Sequence, residues 1–227
     1  METLCYFYHP DPSIWLSVDP MAEERPSLSP YNYCQNSPIV CIDPIGALDD
    51  NYTVDDQGNT QLVEKTNDNF DVLYTKKSWD NGTKDKSKKV DKGVLSSKKT
   101  LSITDAKTGD KYNLDRYKII GDDKAKSLFE FVEKNTKVEW ALTGIGTKNT
   151  NMLTTIHDED SEAGGPFFLV NSYTIRYYDH SHPFHIYPSD ADISFAENLN
   201  LKFPKAKLQI LHKENYYEYD KLGLLTR

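Results

Sequence analysis

His180-Ser181-His182-Pro183, followed by Ser189 and Asp192, is the stretch on which the reading of this chain turns. Side chains on a β-strand alternate between its faces, so two histidines one residue apart point to the same side. Both imidazoles can then reach one metal ion. A carboxylate ten residues after the second histidine adds a third ligand if the chain turns back. Three protein ligands leave a position for water, which is the catalytic form of a zinc site; a fourth would close it. An isolated His-x-His pair carries little information. The ordered succession of Pro183, Ser189 and Asp192 makes this one specific.

The flanking sequence supplies a frame. Ile193 to Leu199 reads as a helix that ends before Pro204, and Ser189 is a preferred N-cap residue for its start. Upstream, Val138-Glu139-Trp140-Ala141-Leu142-Thr143-Gly144-Ile145-Gly146 reads as a strand. On plain alternation Glu139 faces solvent, opposite Val138, Trp140 and Leu142. Ala125, Leu128, Phe129, Phe131 and Val132 recur at helical spacing and predict a helix over 122–135. Further strands are expected at 137–144, 151–156, 167–170 and 173–180, with a closing hairpin of 207–212 and 216–219. Gly164-Gly165-Pro166 reads as a loop near the cleft, without the following helix that an anion cradle needs.

His-x-His-Pro followed by Ser-x-x-Asp resembles the JAMM metallopeptidase motif, and the strand bearing Glu139 and ending in glycine resembles that family's catalytic-glutamate strand. The resemblance implies one Zn²⁺ per chain held by His180, His182 and Asp192, with Glu139 as general base and Ser189 as an oxyanion donor. Zinc of this kind lowers the pKa of its water towards ~7. Glu133, Glu159 and Glu162 are the other candidates for the glutamate, and Asp190 competes with Asp192; the Ser-x-x-Asp spacing favours Asp192. Residues 184–188 form a shorter connection than the family usually has, so a tight loop over the metal is expected. His185 lies within that loop and is left outside the ligand set. His157 and His212 read as exposed strand ends.

Composition narrows the alternatives. The formal net charge of −8 gives no electrostatic attraction to nucleic acid. Lysines cluster between Lys76 and Lys99, but Asp80, Asp85 and Asp91 interleave with them, as in a solvated linker. No apolar run approaches the ~18–20 residues that span a membrane. The N-terminus lacks the basic start and apolar core of a secretory signal. Cys5, Cys34 and Cys41 are odd in number and wrongly spaced for a cysteine zinc site, so metal is expected through histidine.

A second resemblance lies near the N-terminus. Asp11-Pro12 leads into Trp15-Leu16-Ser17-Val18-Asp19-Pro20, then Tyr31-Asn32-Tyr33, Asn36-Ser37-Pro38 and Asp43-Pro44-Ile45-Gly46. Residues 11–46 resemble the end of an Rhs/YD-repeat core of the Bacteroidota type. Its prolines forbid helix and favour short strands and turns. The resemblance implies a polymorphic toxin whose effector begins near Ala47. It also implies secretion as an effector delivered to a target cell, cytoplasmic residence in the producer before export, a target-cell protein substrate and an immunity protein.

Between these regions, residues 49–102 read as short strands with turns at Asp56-Gln57-Gly58-Asn59 and Asp80-Asn81-Gly82, followed by a flexible tract over 81–92. Residues 101–104 and 111–114 read as a further hairpin. Three parts are expected: an Rhs remnant (1–46), a strand- and turn-rich connection (47–115) and a JAB-like domain (116–227). The fold class is α/β (α+β), a JAMM/MPN-like mixed sheet flanked by helices. The expected activity is a metallopeptidase or isopeptidase toxin. Competing readings are a catalytically silent MPN-like interaction module and another zinc hydrolase toxin. A deaminase is disfavoured, because its His-x-Glu with Pro-Cys-x-x-Cys is absent.

Overall fold

A computed structural model of the chain describes residues 49–66, 69–104 and 109–225, with two short strands nearer the N-terminus, β1 (Tyr8–His9) and β2 (Ile14–Trp15). Apart from β2, the Rhs-like segment of residues 11–46 lies outside the described residues.

The site rests on a mixed sheet of eight strands. In chain order these are β7 (Lys99–Thr104), β8 (Lys111–Ile120), β9 (Ala141–Ile145), β10 (Thr150–Thr155), β11 (Ile175–Ser181), β12 (Lys207–His212), β13 (Asn215–Asp220) and β14 (Gly223–Leu224). They lie side by side as β14-β13-β12-β11-β9-β10-β8-β7. All neighbours are antiparallel except β11 and β12. Parallel neighbours need a long crossover. Here it is the helix α4 (Asp190–Lys202), so the loop of residues 182–189 leaves the carboxyl end of β11 and enters the N-terminus of α4.

Each face of the sheet carries its own core. The helix α2 (Asp122–Asn135) forms over the expected residues and buries Ala125, Leu128, Phe129 and Val132 against Tyr117, Trp140, Leu142 and Leu153. Asp122 and Asp123 in its first turn suit the positive end of the helix dipole. On the other face, α4 and the short helix α3 (Gly164–Val170) bury Phe168, Leu169, Phe195 and Leu199 against Ala141, Tyr178, Ile210 and Tyr219. Odd and even residues of β9 therefore serve different cores.

A second, four-stranded sheet has the order β4-β3-β5-β6, built from β3 (Asp49–Val54), β4 (Thr60–Thr66), β5 (Phe70–Thr75) and β6 (Ser87–Asp91). Tyr52, Val54 and Leu73 join the core under α2. The expected turn at 56–59 connects β3 and β4, with Asp55 Oδ1 accepting the amides of Gln57 and Asn59. The expected hairpin forms from β7 and β8, with Leu101 opposite Leu114. The expected division at 115/116 falls inside β8.

Three local expectations are corrected. Residues 167–170 are helical, because Pro166 is acceptable in a first turn and a short apolar run fits either state until packing decides. The same helix starts at Gly164, so Gly164-Gly165-Pro166 is not a loop. Residues 81–92 are not a flexible tract: β6 pairs with β5 through them, and the helix α1 (Lys76–Asp80) precedes the Asn81-Gly82 turn. Ion pairs flank the segment, Lys76 with Asp80 before it and Lys124 with Asp91 near its end.

Candidate metal centre

His180 occupies the end of β11 with its side chain on the α3/α4 face, two residues beyond Tyr178. The chain stays tied to the sheet after the strand ends. The His182 amide donates to the Leu211 carbonyl at 3.0 Å, and the His182 carbonyl meets His212 Nδ1 at 2.6 Å. His180 and His182 thus keep the strand alternation, and their Nε2 atoms lie 3.0 Å apart. Both side chains are buried.

Glu139 is brought in by strand pairing. β9 and β11 pair with Ala141 opposite His180. Two residues further along the same register, Glu139 stands across from His182, and its Oε1 lies 3.6 Å from His182 Nε2. The backbone is pinned there: Glu139 N donates to the Asp158 carbonyl at 2.7 Å and Thr155 Oγ1 donates to the Glu139 carbonyl at 2.8 Å. The alternation holds here: Val138, Trp140 and Leu142 share the opposite core. The solvent-facing alternative is corrected, because α3 and α4 cover this face and Glu139 is 6% exposed.

Asp192 arrives through a helix cap. Ser189 is the N-cap of α4 and Asp192 its third residue, in a reciprocal capping box. The Asp192 amide donates to Ser189 Oγ at 3.2 Å, and Asp192 Oδ2 accepts from the Ser189 amide at 2.8 Å and hydroxyl at 2.7 Å. This leaves Asp192 Oδ1 at 3.2 Å from His180 Nε2, while Oδ2 is 3.5 Å from His182 Nε2. Asp190 sits exposed in the same first turn.

The donor set fits a zinc ion. Tetrahedral zinc with bonds near ~2.1 Å places its ligand atoms about 3.4 Å apart. The two Nε2 atoms lie 3.0 Å apart, and each has an Asp192 oxygen near that spacing, Oδ1 at 3.2 Å from His180 and Oδ2 at 3.5 Å from His182. His180, His182 and Asp192 are also the group of metal-ligating side chains that converges among the described residues. Two buried imidazoles that face each other through Nε2 at 3.0 Å, with one carboxylate beside both, form a cluster that a single cation would satisfy.

Electrostatics separate the two carboxylates. Burial, reinforced by the negative charges of Asp192, Glu162, Asp160 and Asp158, pushes Glu139 up to about 9 without metal. Burial also works against ionised Asp192, but the charge of His180 and hydrogen bonds with His180, His182 and Ser189 hold it well below the usual carboxylate range. Burial pulls His182 below its ordinary value, against the contrary pull of Asp192. Neighbouring carboxyl groups are thus pushed in opposite directions, Glu139 towards the neutral form and Asp192 towards the ionised one.

The other candidates lie elsewhere or are engaged otherwise. Glu133, on α2, accepts the Lys213 amide at 3.1 Å, and Glu159 is exposed. Glu162 is held by Thr154, Gly164 and Tyr178. His185 is exposed, with its ring 4.7 Å from that of His182. The expectation of exposed strand ends fails for both remaining histidines. His212 is buried, and His157 bridges the Gln57 carbonyl and Asp115 Oδ2. Sequence reasoning missed Tyr178, whose ring stacks on His180 at 5.2 Å. Its place two residues before His180 was the available signal.

The fold and the cluster together define a mixed α+β protein in which two buried histidines and a partly buried aspartate converge beside a buried glutamate. Residues 117–197 match the model of a protein family described as JAB-like toxin 1, which supports a JAB-like toxin domain over that part of the chain. The match spans the strand pairing that presents Glu139, both histidines and the capping box. No curated protein and no solved structure matches the chain. No helix among the described residues is long and apolar enough to cross a membrane.

Proposed function

We propose that the chain is a zinc-dependent metallopeptidase or isopeptidase toxin acting on a protein of a target cell. The observation that carries this is the position of Glu139, 3.6 Å from His182 and on the same buried face as His180 and Asp192. His180, His182 and Asp192 would hold one zinc ion. When bound, zinc supplies a water made acidic and a Lewis acid for the substrate carbonyl.

The chain's own groups do the rest. Without metal, burial and acidic neighbours push Glu139 up to about 9; beside a dication it would be ionised, and it would then accept the water's proton and return it to the leaving amine. Asp192 stays ionised as a ligand because its remaining lone pairs are occupied by Ser189. The Ser189 hydroxyl now donates to Asp192, so stabilising a developing oxyanion requires it to rotate towards the substrate. Losing such a donor costs on the order of 10²–10³ in rate.

The Rhs-like segment and the JAB-like match support an effector delivered to another cell, with an immunity protein protecting the producer. The test combines metal analysis with a search for cleaved proteins in cells expressing the chain. Wild type should carry about one zinc per chain, His182→Ala should lose it, and Glu139→Gln should keep it but cleave nothing. Cleavage retained by Glu139→Gln would sink the assigned role, and a wild type without zinc after reconstitution would sink the reading itself.

A further inference from the structure

We infer that Glu162 is a positioning residue for the metal centre, acting on His180 through Tyr178. The inference rests on the zinc reading above and assigns a role to the Gly164-Gly165 start of α3. Glu162 belongs to the connection from β10 to α3, and its carboxylate gathers three donors. Thr154 Oγ1 donates to Oε1 at 2.7 Å, the Gly164 amide donates to Oε2 at 2.6 Å, and the Tyr178 hydroxyl donates to Oε2 at 3.2 Å. One side chain therefore ties together β10, α3 and β11.

Tyr178 transmits the restraint. Its ring is stacked on the His180 imidazole, with centroids 5.2 Å apart and planes 24° from parallel. Its other neighbour is Phe195, at 4.8 Å edge to face, on the helix that presents Asp192 three residues earlier. The phenol is wedged between two of the three ligand-bearing elements, and Glu162 holds its far end. His180 Nδ1 is buried without a hydrogen-bond partner, so the ring plane of this ligand is set by packing. Ligating histidines are commonly oriented by a hydrogen bond to the second ring nitrogen; the stacked tyrosine serves that purpose here.

The two glycines make the arrangement possible. A Cβ on Gly164 would stand 2.0 Å from Thr154 Oγ1, and one on Gly165 would stand 2.5 Å from Tyr178 Cε2 and 2.9 Å from Phe195 Cζ. Only a bare backbone lets α3 close over the Glu162–Tyr178 pair.

The test is zinc affinity by competition with a chelator, together with the visible spectrum of the cobalt-substituted protein, which reports ligand geometry. Glu162→Ala and Tyr178→Phe should each weaken zinc binding on the order of tenfold and alter the cobalt bands. Glu162→Gln, which keeps an acceptor for Gly164 and Tyr178, should restore most of both. The double variant Glu162→Ala/Tyr178→Phe should be no worse than Glu162→Ala, because both interrupt one path. If Glu162→Ala does not fold, Tyr178→Phe decides, since it removes only the hydroxyl. Unchanged affinity and bands in a zinc-binding protein, or additive losses, would overturn the inference and leave the metallopeptidase reading standing. A wild type that takes up no zinc overturns both.

Discussion

The clearest physical test of the site concerns Glu139 in the metal-free protein. Its carboxyl is pushed from an ordinary 4.5 up to about 9, by burial first and then by its acidic neighbours. The folded chain therefore keeps a proton that the unfolded chain releases across this window. Because the unfolded state binds fewer protons there, stability falls as pH rises. The contribution is intact below about 4.5 and is lost by about 9. The slope is about 1.4 kcal/mol per pH unit. Between about pH 6 and about pH 8 the effect amounts to roughly 3 kcal/mol. For a chain of this size that is roughly 6–12 °C in Tm.

Glu139→Gln has no such proton to lose. The experiment is thermal unfolding of chelator-treated wild type and variant over that range, reading only how the gap in Tm changes with pH. Asp179, pushed by burial up to about 7, contributes in the same direction in both proteins and cancels. The variant should gain on the wild type steadily as pH rises. Zinc should shrink the gap, since a dication held by His180, His182 and Asp192 favours the ionised carboxylate. Parallel curves in metal-free protein would refute the argument, because Glu139 would then ionise as freely folded as unfolded.

Two further outcomes follow from the packing around the ligands. Ser189→Ala removes the acceptor for the Asp192 amide and a donor to Asp192 Oδ2, so stability should drop by about 1 kcal/mol; Ser189→Asn, an equally good cap, should recover this in a thermal scan, and an unchanged Tm in Ser189→Ala would show that the capping box contributes nothing. Gly165→Ala forces a methyl group against Tyr178 and Phe195, and should cost about 1–3 kcal/mol while weakening zinc binding. A Gly165→Ala protein that binds zinc as tightly as wild type would show that α3 can shift without disturbing His180.

Much of the site was legible in the residues because its geometry is short-range. Period-two alternation puts His180 and His182 on one side of a strand, and a serine followed three residues later by a carboxylate is a helix-cap pattern, so the chemistry of both pieces is local. The helix at 122–135 was equally plain, since its apolar spacing is strong over several turns. Local rules failed where packing arbitrates. Phe167 to Val170 suits a strand or a helix by composition, and becomes a helix because Gly164 and Gly165 let it settle on Tyr178 and Phe195.

What the sequence determined by itself was therefore the set of donors and the alternation that aims them. What only the tertiary structure decided was their surroundings. Alternation alone sets Glu139 opposite Val138, Trp140 and Leu142, but the antiparallel pairing of β9 with β11 just beyond it brings it to His182, and α3 and α4 bury it. The Glu162–Tyr178 link, the burial of His212 and the bridging of His157 to Asp115 likewise join residues far apart in the chain. Long-range register and helix docking are collective outcomes of the two cores, and no window of sequence contains them.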